Sequence, residues 1–287
     1  MALSMALFTA NDATVKFLGD SLPLGVIIVW RGWFMIALLL VLILLLPGHG
    51  PAALPHAWQR PVLVRSAWDT LVTLSYLTAL MHMPIANVLA IMNLSPLLIL
   101  PLAAWRLGER LHGRDMLALL AGLGGALLVI RPGPEGFNAF ALLALLAAAA
   151  AAMRDIATRR IPPATPTLAV TLSNMALVQL AGLALWLLQG LLAGTAEKPL
   201  MMPQNGGQWA LLMLAAALLA AAIATLVASV RVAPLHISAP WRYSVIVWGV
   251  LAGWLVFGEV PDGITLLGIG IILASSMHAT LRRGDGG

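Results

Sequence analysis

The chain has 287 residues, of which 61% are hydrophobic and 9% charged, with a net charge of +5. A water-soluble protein carries about 25% charged residues, so most of this surface must meet lipid. The basic excess forms no Lys/Arg tract of the kind that holds nucleic acid. With no cysteine present, neither a disulfide framework nor a thiolate metal site can form.

A bilayer core about 30 Å thick asks for roughly 20 apolar residues per helix. Ten runs approach that length: 2–19, 24–46, 67–82, 85–107, 115–131, 137–158, 166–192, 208–230, 235–258 and 263–281. None alternates in polarity as a barrel strand would. The expected class is therefore an all-α membrane protein with ten transmembrane helices. The chain starts inside its first run, without a basic leader or cleavage site, and reads as a first span and not a signal peptide.

The first run carries Asp12 and Lys16. Spaced i,i+4, they can meet on one helix face. Ionisable groups within a span are functional candidates; here the spacing favours a structural ion pair, with proton or substrate coupling as the alternative. The second run holds Arg31. In the third, Asp69, Thr73 and Tyr76 follow one face, with Asp69 near the helix end and Tyr76 one of only two tyrosines.

The fourth run reads "NLSPLLILP" over 93–101. Pro96 and Pro101 donate no hydrogen bond and free the carbonyls of Met92 and Leu97. Such carbonyls need partners or must line a cavity, so Asn93, Ser95, Pro96 and Pro101 are expected at a bend that serves as hinge and binding surface. The fifth run has the small-residue pairs Ala118/Gly122 and Ala121/Gly125, and the tenth has Gly270/Ala274. Residues of this kind four apart let helices approach closely. The sixth is alanine-rich at 147–152. In the seventh, Asn174 is expected to join helices by hydrogen bonding.

The ninth run, "SAPWRYSVIVWG" (238–249), is the most polar and aromatic stretch within any span. Trp241, Ser244 and Trp248 share one face, with Tyr243 and Arg242 beside it and Pro240 at its start. Trp241 also suits an interfacial anchor, and Arg242 can snorkel to the headgroups.

Loops on one side carry Arg60, Arg65, Arg106, Arg110, Arg114, Arg154, Arg159, Arg160, Arg231, Arg282 and Arg283; the other side has Lys16, Arg131 and Lys198. Positive residues favour the cytoplasm, which puts both termini inside.

The chain also repeats. "AAWRLGERLHG" (103–113) and "GWLVFGEVPDG" (253–263) share a Gly-Glu pair beyond an apolar run. At an offset of 150, Pro84 aligns with Pro234, Gly108 with Gly258, Glu109 with Glu259 and Gly113 with Gly263. At an offset of 143, Asp12 aligns with Asp155, Lys16 with Arg159 and Pro23 with Pro166, the longer loop 47–61 making up the difference. Five spans per copy force the second copy upside down. The expected organisation is a 5+5 inverted repeat, residues 1–131 and 132–287. Glu109 and Glu259 end on opposite sides as helix caps and gate contacts, and two opposed copies can rock about a central site.

The stretch "LSPLLILPLAAWRLGERLHGRDMLALLAGLGGALLVI" (94–130) resembles the fourth and fifth helices of the drug/metabolite transporter superfamily, EamA type. "ANDATVKFLGDSLPLGVIIVWRGWFMIALLL" (10–40) is similar to its first two, with Lys16 and Arg31 at usual basic positions. Bacterial exporters of amino acids, aromatic ones included, are the nearest likeness. The resemblance implies ten helices as a 5+5 inverted repeat and a cavity lined by helices 1, 3, 4, 6, 8 and 9. One departure stands out: opposite Pro96 is Ile246, with Pro240 six residues earlier.

The expected function is a secondary carrier in a bacterial inner membrane that exports small metabolites, amino acids above all. The alternatives are another drug or metabolite carrier of that family, or a proton-coupled importer. Tyr76, Asn93, Ser95, Trp241, Tyr243, Ser244 and Trp248 are the expected substrate contacts. No His-Glu-x-x-His, Gly-x-Ser-x-Gly or phosphate-binding loop occurs, so neither an enzyme nor an ATP-driven pump is expected. No charge ring or carbonyl filter suggests a channel. No cofactor, metal or nucleic acid is expected; the partners are the lipid bilayer and a small solute, and the working unit a monomer.

Overall fold

A computed structural model describes residues 1–45, 54–107, 113–130, 138–192, 202–232 and 239–284. Helix is the regular structure throughout the described residues: α1 (Ala2–Gly19), α2 (Leu24–Leu45), the one-turn α3 (Leu54–Ala57), α4 (Arg60–His82), α5 (Ile85–Met92), α6 (Ser95–Leu107), α7 (Gly113–Ile130), α8 (Phe140–Thr158), α9 (Thr167–Leu192) and α10 (Gly206–Val232). A 3-10 turn (Ala239–Tyr243), α11 (Ser244–Phe257) and α12 (Gly263–Gly284) follow.

Within the described residues, each apolar run coincides with a helix or a broken pair of helices. α4 begins seven residues ahead of its apolar run, because Pro61 in its first turn suits a helix start and residues 60–66 continue the helix beyond the apolar stretch. The fourth run breaks at Asn93 and Leu94, so α5 ends just before Pro96 and α6 receives Pro96 in its first turn, where a missing N–H costs nothing. Among the described residues, three stretches are long and apolar enough to cross a bilayer: Phe140–Thr158, Ala169–Leu191 and Gly206–Leu226. Leu24–Leu38, Ile85–Ile99, Met116–Ile130, Trp241–Phe257 and Gly263–His278 are shorter apolar stretches.

The helices are apolar outside as well as inside. Leu18, Ile27, Leu80, Ile91, Leu97 and Ile272 are buried, while Leu117, Leu127, Leu180, Trp254 and Leu255 are exposed. A helix apolar all round belongs in lipid or deep within a large core.

The main pairings are α4 with α8, α7 with α12, α1 with α10 and α2 with α9. Small residues permit the closest of these. A Cβ built on Gly125 would come within 2.8 Å of the Gly268 carbonyl oxygen, and one on Gly268 within 2.7 Å of that of Gly125. Gly25 lies against the backbone of Trp186 and Gly182 against Ile28. Buried Ala141, Ala144, Ala148 and Ala151 give α8 its smooth face. The expected contact through Gly270 is not made, since a Cβ there meets nothing within 4 Å. Gly268, Ile272 and Ser275 lie at i, i+4 and i+7 on the packed face of α12, and Gly270 falls outside that stripe.

Candidate functional site

Asp12 is the eleventh residue of α1, about 15 Å from its start, which is half the depth of a bilayer core. Its carboxylate is buried. Tyr76 of α4 donates its hydroxyl to one carboxylate oxygen at 2.5 Å, and Asn11 donates its amide to the other at 3.0 Å. The Asn11 amide oxygen accepts a 3.4 Å contact from Nη1 of Arg31 on α2, which is also buried. Three helices thus bring a carboxylate, a guanidinium, an amide and a phenol together in the middle of the bundle.

The expected pair of Asp12 with Lys16 does not form. The Lys16 ammonium donates instead to the Met83 carbonyl at 2.7 Å and to the Glu259 carboxylate. Its flexible four-carbon stem carries the charge along the helix toward the end of the bundle. There a carboxylate and a carbonyl receive it, and the Phe257 ring lies 5.0 Å away. Asp12 is satisfied by neutral donors.

Glu259 is placed by the left-handed turn at Gly258, where φ is +67°, a conformation natural to glycine. Its second carboxylate oxygen accepts the backbone N–H of Ile85 at 3.0 Å. This caps the first turn of α5, whose orphan N–H groups favour a negative charge. One carboxylate therefore ties the Lys16 end of α1, the α4–α5 link and the end of α11 into a latch. A crevice of about 320 Å³, lined among others by Gly19, Leu22, Thr78 and Gln189, lies beside that same end and not at the Asp12 cluster.

At the α5–α6 break, Asn93 spends its side-chain amide on the Leu89 carbonyl of its own helix at 2.7 Å. Ser276 of α12 donates to the Asn93 carbonyl at 2.6 Å. Ser95 is buried just after the break, and Pro101 stands inside α6.

The residues expected from the ninth run divide between faces. Ile246, Gly249 and Gly253 are the buried stripe, with Gly249 set against Leu89. Trp241 and Trp248 are exposed, beside Leu251 and Leu255 on an apolar stripe. Tyr243 is half-buried, and the Ser244 hydroxyl is turned back on the Trp241 carbonyl at 2.7 Å. The backbone of Pro240 lies in the 3-10 turn. Glu109 lies outside the described residues.

At the end of the bundle away from the latch, Asp69 of α4 accepts from Arg154 of α8 at 2.9 Å and from Arg65 at 3.4 Å, and Arg154 also pairs with Asp155 at 2.9 Å. The buried Oδ1 of Asn174, a residue expected to join helices, has no partner among the described residues. Among those residues no group of three His, Asp or Glu side chains is placed to hold a metal ion.

Asn11 escapes the sequence reading. It stands beside Asp12 in a span, and an amide next to an intramembrane acid is the signal that could have found it. Arg31 is visible as a charge within a span; its tie to Asp12 through Asn11 is not.

An apolar-surfaced helical bundle with ionisable groups held at mid-depth and a latch at one end has the parts that an integral membrane transporter needs. Residues 1–131 match the EamA-like transporter family, of the drug/metabolite transporter superfamily. The pseudopaline exporter CntI of Pseudomonas aeruginosa is 26% identical over 97% of this chain and 93% of its own. A riboflavin transporter of Brucella anthropi is 26% identical over 100% and 98%, and an S-adenosylmethionine uptake transporter of Rickettsia felis 23% identical over 96% and 89%. A solved crystal structure shares the fold, with a TM-score of 0.57 and 21% identity over 99% of this chain and 97% of that one. The chain is a small-molecule membrane transporter and not an enzyme.

Proposed function

We propose that the chain is a secondary carrier of the bacterial inner membrane that exports small metabolites, foremost amino acids, by alternating access between two inverted five-helix repeats, residues 1–131 and 132–287. Both termini lie in the cytoplasm, as the arginine distribution favours. The observation that carries this reading is the buried Asp12–Asn11–Arg31–Tyr76 cluster. Charged groups at mid-membrane are expensive and mark pathways or binding sites.

The helix pairings support the repeat. Exchanging the halves maps α1 onto α8, α2 onto α9, α4 onto α10, α5–α6 onto α11 and α7 onto α12. The pairing of α1 with α10 then becomes that of α8 with α4, and α1 with α11 becomes α8 with α5 and α6. The pairs α2–α9, α7–α12 and α5–α11 map onto themselves. In this arrangement the latch of Lys16, Glu259, Met83 and Ile85 is the closed outer gate. The sequence repeat suggests the inner gate role for Glu109, which lies outside the described residues, and the break at Asn93 with Pro96, Pro101 and Pro240 supplies the hinges. Tyr76, Asn93, Ser95 and Tyr243 line the route, with Ser244 at its margin. The outward stripe of Trp241 and Trp248 fits lipid-facing anchors better than substrate contacts.

The relatives favour a second reading, a carrier for a larger metabolite, since one is named for riboflavin and another for uptake of S-adenosylmethionine. S-adenosylmethionine carries an amino-acid head group and riboflavin does not. Uptake of the twenty L-amino acids, riboflavin and S-adenosylmethionine into liposomes holding the purified protein, with and without a pH gradient, separates these readings. Saturable amino-acid flux supports the first. Saturable riboflavin flux alone replaces it.

A further inference from the structure

We propose that Asp12 and Arg31 are the two poles of a zwitterion site, with the α-ammonium of an amino acid held by Asp12 and its α-carboxylate by Arg31. This rests on the reading of the chain as an amino-acid carrier and assigns the groups that hold the cargo.

A buried carboxylate and a buried guanidinium on adjacent helices have an obvious structural solution, the direct bidentate pair. It is not adopted: among the described residues no contact within 4.0 Å joins Asp12 to Arg31. Asn11 stands between them, donating to Asp12 at 3.0 Å and accepting from Arg31 at 3.4 Å. The two charges are thereby kept near each other and apart. Asp12 has its carboxylate oriented by Tyr76 and Asn11, each donating to a different oxygen. Arg31 is less complete. A guanidinium offers five N–H donors, and among the described residues its one hydrogen bond is the long contact to Asn11. Donors left over on a buried cation cost free energy unless an anion takes them.

An amino acid supplies what each pole lacks. Its carboxylate can accept two parallel bonds from Arg31, and its ammonium can donate to Asp12 oxygens that retain lone pairs beyond those used by Tyr76 and Asn11. Cargo and site then neutralise each other inside the low-dielectric bundle. A neutral solute leaves both charges as they were, and a molecule with one charge answers one pole only. The preference for zwitterions thus comes from the spacing that Asn11 maintains.

The test uses the full-length protein in liposomes. The L-amino acid with the largest wild-type flux is the labelled probe, and its decarboxylated amine and deaminated acid are unlabelled competitors beside the parent. In the wild type the parent should compete about tenfold or more better than either half-molecule, as a buried charged hydrogen bond implies. Arg31→Gln should weaken the parent about tenfold and leave competition by the amine unchanged. Asp12→Asn should weaken the parent and leave the acid unchanged. If Arg31→Gln fails to fold, Arg31→Lys keeps the charge without the fork and should lose part of the parent's advantage while sparing the amine. Loss of parent, amine and acid alike, or no change in any of them, overturns the assignment with the carrier intact. If only riboflavin or another non-zwitterion is carried, the zwitterion site fails and the carrier stands. If no solute moves saturably, both fall.

Discussion

Replacing Glu259 by Gln removes one charge and no heavy atom, so it tests the latch without leaving a hole. In the wild type the Lys16 ammonium is held by the Glu259 carboxylate and the Met83 carbonyl, and Glu259 also takes the Ile85 N–H. A Gln oxygen can still accept from either donor; the acceptor's negative charge, and with it the ionic half of the bond to Lys16, is what disappears. Hydrogen bonds to charged groups contribute about 1.5–3 kcal/mol and neutral ones about 0.5–1.5. The difference between the midpoints, about 1.25 kcal/mol, shifts the ratio of open to closed gate roughly eightfold. An open population of about one in a hundred then becomes about one in ten. The chain has no cysteine, so two introduced cysteines give an unambiguous spin-label pair. Ser21 and Val260 are exposed and flank the latch. Electron–electron distance measurement on Ser21→Cys/Val260→Cys should show a longer component that grows in Glu259→Gln and in Lys16→Gln. The double substitution should add little beyond either single one, because both break the same contact. Distance distributions that superimpose on the wild type in both single variants would refute the latch as a gate.

At the α7–α12 crossing, Gly125→Val should lower the thermal midpoint in detergent by the equivalent of about 1–3 kcal/mol of overpacking, because its Cβ has only 2.8 Å to the Gly268 oxygen. Gly124→Ala, whose Cβ meets nothing, should leave it unchanged in the same melt. For orientation, a single cysteine at Gly206 should react with a membrane-impermeant thiol reagent on intact cells, and one at Gln59 should react only after the membrane is opened. Tyr243→Ala should raise the half-saturation concentration for an amino acid about tenfold, with Tyr243→Phe milder. Flux that is unchanged in both Tyr243→Ala and Asn93→Ala would confine the site to α1, α2 and α4.

Helix positions were legible because a bilayer demands long apolar runs, and those runs end close to where α1, α2, α9 and α10 end. The break near Pro96 was legible for the same kind of reason, since a proline cannot donate and a buried helix must answer for it; the structure moves the turn to Asn93 and Leu94 so that Pro96 starts a helix. Partnerships were harder. Lys16 looks four residues along α1 in the sequence and finds Glu259, 243 residues away. Periodicity puts Trp241 and Trp248 on one face but says nothing about which neighbour that face meets. The buried stripe of α11 is Ile246, Gly249 and Gly253, because α5 brings Leu89 and Ala86 against Gly249. The repeat marks equivalent positions such as Asp12 and Asp155, yet their surroundings differ: Asp12 lies among neutral donors and Asp155 beside Arg154.

The central claim is that one site is offered alternately to the two sides of a membrane. Counterflow tests it most directly. Liposomes holding the purified protein are loaded with an unlabelled amino acid at high concentration, and the same labelled amino acid is added outside at trace level. A carrier should accumulate label transiently above its equilibrium level, with a rate that saturates as the outside concentration rises, and the overshoot should vanish in liposomes without protein. Label that only relaxes toward equilibrium, at a rate linear in concentration and indifferent to what is loaded inside, would contradict alternating access and leave a passive pore.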